Sequence, residues 1–154
     1  MYSYILSLII AILLILPAQK SHAETSKSMT GPIKAKVIRI IDGDTIQVEA
    51  MIWPGQYIKT YIRINGIDTP EHKGKCEKEK ILAKKATLLL KNTIPDAQPI
   101  LLYNVKNGKF AGRVVADIKT INGISIAKTM LDEGVARPYD GKKKRQPWCG
   151  KSDV

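Results

Sequence analysis

The sequence predicts a mainly β domain with packed helices (α+β): a partly open barrel of five short strands with two or three helices. Three observations point there. Short β-branched runs recur between Gly- and Pro-marked turns over residues 33–118. One long amphipathic segment, residues 77–92, separates the first three runs from the last two. The chain has 154 residues, enough for one modest domain.

Residues 33–41 are strand-like, although Arg39 interrupts one face while Ile38 and Ile40 hold the other. Asp42-Gly43-Asp44 breaks the run, and Thr45 resumes it, with Ile46 and Val48 on one side and Gln47 and Glu49 on the other. Two strands about Asp-Gly are a hairpin signal. Trp53-Pro54-Gly55 marks the next turn. The strand after it alternates most cleanly: Ile58, Thr60, Ile62 and Ile64 point one way, and Tyr57, Lys59, Tyr61 and Arg63 the other. Arg63 therefore ends a strand on its polar face, held just before a loop.

In residues 77–92, Leu82, Ala86 and Leu89 repeat at helical spacing, flanked by Ile81 and Leu90, with lysines opposite. Residues 100–105 and 113–118 are two further strands about an Asn107-Gly108 turn. A short helix over residues 125–133 follows the Asn122-Gly123 turn, with Ile124, Ala127 and Leu131 on one face and Gly134 as its C-terminal cap. Three strands, a helix, two strands and a helix is the order of an OB-like barrel, a fold that binds polyanions on its open face.

The formal net charge is +11. That excess favours nucleic acid, an anionic membrane or another polyanion as partner, against the plainer reading of simple solubility. Residues 5–16 are an apolar run closed by Pro17, and Ser21-His22-Ala23 offers small residues where a signal peptidase reads. We expect a signal peptide over residues 1–23, cleaved after Ala23, and an exported protein, periplasmic or extracellular. An uncleaved anchor is the alternative, because the first four residues carry no Lys or Arg. Residues 24–33 read as a flexible leader, and residues 140–154 as a basic tail broken by Pro and Gly. Cys76 and Cys149 are an even pair in an exported chain, which predicts a disulfide; two separate buried thiols are the alternative.

The chemistry centres on residues 63–71, where Arg63, Asp68 and Glu71 surround the breakers Gly66 and Pro70. If the first and third strands are neighbours, Asp44 joins Asp68 and Glu71. Two like charges at 4 Å repel by about 4 kcal/mol at an effective dielectric near 20. A hard divalent cation removes that penalty. Oxygen donors without a Cys or His cluster point to one Ca²⁺ rather than Zn²⁺, with Mg²⁺ as the alternative. Guanidinium groups beside such an ion suit a phosphate and its transition state. Arg63 is one candidate and Arg113, opening the last strand, the other. A carboxylate not consumed by the metal can take the proton of an attacking water. Alone, each motif has an ordinary reading: a hairpin turn at 42–45, a helix-capping segment at 68–71, a surface arginine at 113. Their combination and order carry the weight.

That combination comprises Ile41-Asp42-Gly43-Asp44-Thr45, Arg63, Gly66-Ile67-Asp68-Thr69-Pro70-Glu71, Gly112-Arg113 and Gly134-Val135-Ala136. In it the chain resembles staphylococcal nuclease and its thermonuclease-like relatives, over roughly residues 35–139. The resemblance implies a five-stranded OB-fold nuclease domain over residues 34–139 and Ca²⁺-dependent cleavage of DNA and RNA to 3′-phosphate products. It implies that the carboxylates of Asp44 and Asp68 and the backbone oxygen of Thr69 bind Ca²⁺. Glu71 would activate water, and Arg63 and Arg113 would hold the phosphate and stabilise the transition state. Lys109 and Tyr139 are carried as substrate contacts. The chain departs from the family pattern at Gly108-Lys109-Phe110-Ala111-Gly112-Arg113, which has one residue more before the arginine and lacks the usual acid and tyrosine. It also replaces a third helix with a basic run, residues 142–145, which could track a nucleic-acid backbone or simply be solvated. We expect a monomer with DNA and RNA as substrates and no stable membrane association after cleavage. The rival readings are a non-catalytic nucleic-acid-binding OB module and a membrane-surface polycation.

Overall fold

The computed structural model describes residues 28–94 and 98–150. The expected signal peptide, most of the leader and the last four residues of the tail lie outside that range. Among the described residues, eight strands and two helices follow in the order β1 (Ser28–Met29), β2 (Ile33–Ile40), β3 (Thr45–Trp53), β4 (Gln56–Ile64), β5 (Ile67–Asp68), α1 (Glu77–Thr93), β6 (Ile100–Asn107), β7 (Arg113–Thr120), α2 (Ile126–Asp132) and β8 (Arg137–Pro138). Strands β2, β3, β4, β7 and β6 pair in a closed ring, with β4–β7 the one parallel seam. The architecture is thus the expected five-stranded barrel with packed helices. No helix among the described residues is long and apolar enough to cross a membrane.

Alternation fills the barrel. Ile46, Val48, Ile62, Ile64, Ile100, Leu102, Ala116 and Ile118 are buried inside it. Removing one such side chain, as in Ile62→Ala, costs about 2–5 kcal/mol. The imperfect alternation of β2 has a cause: its pairing with β3 shifts register between Val37 and Arg39. The bulge leaves Ile38 exposed and frees Arg39 to donate to Gln47 and Tyr61. The buried stripe of α1 is Ala83, Ala86 and Leu90, with Leu82 and Leu89 at its margins. This corrects the expected stripe, and the offset follows from Glu79, which turns inward on the same face. In α2 the buried residues are Ile126 and Met130, while Ile124 is exposed.

Two expectations about arrangement need correction. The first and third of the predicted strands, β2 and β4, are not neighbours, because β3 lies between them. Asp44 reaches the later acids through the β3–β4 pairing, in which Thr45 sits opposite Arg63. The leader, where it is described, is also not free: Ser28 and Met29 pair with Lys106 and Val105 of β6.

Candidate active site

The site forms at the end of the barrel where β3 starts and β4 stops. The register of these strands brings Asp44, just before β3, to the level of Arg63 on β4. The turn at Gly43 must pass close to the helix. A Cβ there would lie 2.8 Å from the Ala86 Cβ and 2.9 Å from the Thr69 Oγ1, so any larger residue would push Asp44 outward. After Arg63 the chain reverses at Gly66, whose φ of +81° suits glycine, and β5 carries Asp68 back beside β8. The Asp68 backbone pairs with Arg137, and the Tyr139 N–H donates to the Gly66 carbonyl at 2.9 Å.

Asp44, Asp68 and Thr69 are all buried. Arg63 spans the first two: one terminal nitrogen donates to Asp44 Oδ1 at 2.5 Å, the other to Asp68 Oδ1 at 3.2 Å. Asp44 also accepts from the Thr45 hydroxyl at 3.0 Å and from the Thr69 N–H at 3.1 Å. Burial nonetheless dominates its ionisation. Desolvation pushes the Asp44 carboxyl up to about 6 and Asp42 adds to the rise, although Arg63 and the bonds from Thr69 and Thr45 pull the other way.

Glu71 lies on the outer side of this cluster, half-exposed. Its backbone N–H is held by Glu79 Oε1 at 3.5 Å, and Glu79 Oε2 accepts from the Lys75 N–H at 3.0 Å. Glu79 stands three residues into α1 from the N-cap Cys76, the position from which a glutamate can reach back to free N–H groups. It therefore sets the loop that carries Glu71. The spacing from Cys76 to Glu79 was the available signal, and sequence reasoning passed over it.

Sequence reasoning also missed Arg145. Its guanidinium donates to Asp68 Oδ1, to Glu71 Oε1 at 2.5 Å and to the Thr69 carbonyl at 3.3 Å. Burial works against its charge, but the bonds to Asp68 and Glu71 outweigh that and hold it more firmly protonated. Trp148 Nε1 donates to Asp68 Oδ2 at 3.3 Å, and its ring lies under Arg137, 3.8 Å from the guanidinium carbon. The predicted disulfide, Cys76–Cys149, is formed and joins this segment to the start of α1. The group Cys76, Glu79 and Cys149 is consequently not a metal centre.

The side chains of the remaining expected site residues have other partners. Arg113 is half-buried, with its guanidinium stacked 4.7 Å from the Phe110 ring centroid. It lies one strand over from Arg63 on the same face, opposite Tyr61, whereas Arg63 is opposite Val115. The 108–112 loop supplies Phe110 as its stacking partner. Lys109 Nζ donates to the Gly141 carbonyl at 2.8 Å, and the Tyr139 hydroxyl to the Lys143 carbonyl at 3.0 Å. His72, exposed, meets the Thr87 hydroxyl at 3.0 Å.

The donor set suits a hard cation. Asp44 and Asp68 offer four carboxylate oxygens and Thr69 a carbonyl, each able to accept twice. Among the contacts described, Asp44 Oδ2, Asp68 Oδ2 and the Thr69 oxygen each accept one bond. A buried carboxyl whose ionisation is resisted by desolvation has the most to gain from such an ion.

A family model of staphylococcal nuclease homologues matches residues 61–149, more than half of the chain. The chain belongs to this family. No curated protein matches it significantly. The matched stretch includes Arg63, Asp68, Glu71, Arg113 and the C-terminal segment as far as Cys149. The match thus reaches into the stretch read from sequence as a basic tail.

Proposed function

We propose that the protein is an exported, Ca²⁺-dependent nuclease that hydrolyses phosphodiester bonds of DNA and RNA and leaves 3′-phosphates. One observation carries the reading: Asp44, Asp68, Thr69 and Glu71 collect around two guanidinium groups at the rim of an OB barrel. Asp44, Asp68 and the Thr69 oxygen would hold Ca²⁺, which when bound supplies positive charge to the phosphate oxygens. Glu71, the most solvent-accessible of the acids, takes a proton from water as its oxygen attacks phosphorus. The bond from phosphorus to the 5′ oxygen breaks, and that oxygen takes a proton from solvent as it leaves. Arg63, fixed on the end of β4, donates to the equatorial oxygens as they gain charge. The disulfide supports an oxidising compartment, in keeping with the apolar run and small residues of 1–23.

The test is digestion of both DNA and RNA by the mature protein with Ca²⁺ and with chelator. The expected result is cleavage of both polymers, abolished by chelator and restored by added Ca²⁺. Binding that survives chelator and yields no product would favour the non-catalytic module instead.

A further inference from the structure

The segment from residue 137 to residue 149 is organised as a wall of the site. It begins in β8, hydrogen-bonded beside Asp68. The Asp140 carboxylate accepts from the backbone N–H groups of Lys142 and Lys143, which closes a turn. The Tyr139 hydroxyl donates to the Lys143 carbonyl within the segment, and Lys109, between β6 and β7, ties Gly141 to the barrel. Its far end is fixed by Arg137, which both covers Trp148 and donates to the Pro147 carbonyl at 3.2 Å. Cys149 is then linked to Cys76, immediately before α1. Between these anchors Arg145, itself partly exposed, bonds to Asp68 and Glu71, while Lys143 and Lys144 are exposed.

We infer that Arg145 is a substrate-phosphate-binding residue of this site, delivered by residues 137–149 and held in place by the Cys76–Cys149 disulfide. The inference rests on the nuclease reading for its ligand, a backbone phosphate. Arg63 and Arg145 meet at the same atom, Asp68 Oδ1, but from different sides. The Arg63 side chain is 17% exposed and that of Arg145 38%. A substrate must approach from the exposed side, so Arg145 is the guanidinium it meets first. Three of its nitrogens contact the cluster, and two of the five N–H donors of a guanidinium remain for an incoming anion. The ground beyond it is suited to a polyanion. An open cleft of about 450 Å³ is lined by three cations, Arg137, Lys143 and Lys144, by two acids, Asp68 and Asp140, and by the Tyr139 ring. Sites for small molecules span about 300–1,000 Å³, so the cleft holds a nucleotide unit rather than a lone ion. Arg113, the arginine expected here, is turned onto Phe110.

The test uses the mature protein in Ca²⁺ and a short fluorescent single-stranded oligonucleotide with phosphorothioate linkages, which survive long enough for binding to be read by anisotropy. Arg145→Ala should weaken binding about ten-fold or more, the scale of one charge-assisted phosphate contact. Arg145→Lys should recover only part of the loss, because an ammonium keeps the charge but not the fork. Cys76→Ser with Cys149→Ser, or reduction of the wild type, should weaken binding like Arg145→Ala. Kinetics on unmodified DNA should show a raised KM with a smaller fall in kcat. Unchanged affinity in Arg145→Ala, or full recovery with lysine, would overturn the inference. Tighter binding in Arg145→Ala would do so too, since it would make the arginine a plug. Loss of cleavage by the wild type itself, with Arg145-dependent binding intact, would sink the nuclease reading and leave this inference standing.

Discussion

The two halves of the site are built by different means. The inner half, Asp44, Arg63 and Asp68, stands on or beside paired strands, its two carboxylates buried and Arg63 partly so. The outer half, Glu71 and Arg145, stands on a loop and a C-terminal segment and is open to solvent. The inner half is positioned by backbone register and by the tight turn at Gly43. The outer half is positioned by side chains and one covalent link: Glu79, Trp148 and the disulfide. Position by register suits a fixed charge cage. Position by side chains suits the groups that must meet a moving substrate.

The sharpest way to break this comparison is at Glu71. Glu71→Gln should lower kcat by roughly 10²–10⁴-fold, the usual worth of a positioned base, with thermal stability nearly unchanged. A rate within a few-fold of wild type would remove Glu71 from the chemistry. The next contrast is between the two arginines. Arg63→Ala strips the shared cation from two buried carboxylates and should cost about 3–5 kcal/mol of stability in denaturant unfolding without metal. Arg145→Ala, at the exposed end, should cost less than about 1 kcal/mol in the same measurement. Equal losses would erase the distinction between the halves.

Glu79→Gln gives a smaller effect of a different kind. It weakens the acceptor that holds the Glu71 and Lys75 N–H groups, so the loop should loosen by about 1–3 kcal/mol. Faster amide exchange over residues 71–75, with the barrel strands unaffected, would check it. The smallest effect is in pH. The folded Asp44 carboxyl keeps its proton up to about pH 6, above its ordinary 3.8. Its folded pKa being raised, stability without metal should fall as pH climbs from about 4 to about 6 and level off above. Ca²⁺ must displace that proton, so its affinity should rise up to about ten-fold per pH unit below 6 and then flatten. Thermal unfolding with and without Ca²⁺ between pH 4.5 and 7.5 reads both trends. Asp44→Asn should remove them.

The same division explains what could be read from the sequence. Alternation placed Arg63 at the end of its strand, and Asp68 follows five residues later in the same short stretch. The barrel order followed from turn residues and period-two runs. The bulge at Val37 and Arg39 left a trace in the broken alternation, but its register needed the partner strand. Arg145 was not legible. It is 77 residues from Asp68, inside a run of like charges where no local pattern says which side chain turns inward. Its direction is set by the Asp140 turn, the Arg137–Trp148 stack and the link to Cys76, which are tertiary facts. Arg113 shows the converse. A motif located it correctly on β7, yet the stack of its guanidinium on Phe110 was not legible in the sequence.

The central claim is that the buried carboxylates of the inner half serve Ca²⁺-dependent hydrolysis. Cleavage of a labelled oligonucleotide by the wild type and by an Asp44→Asn, Asp68→Asn double variant, both folded and in the same Ca²⁺, tests it most directly. The account predicts rapid cleavage by the wild type and none by the double variant. Cleavage by that variant at the wild-type rate would contradict it.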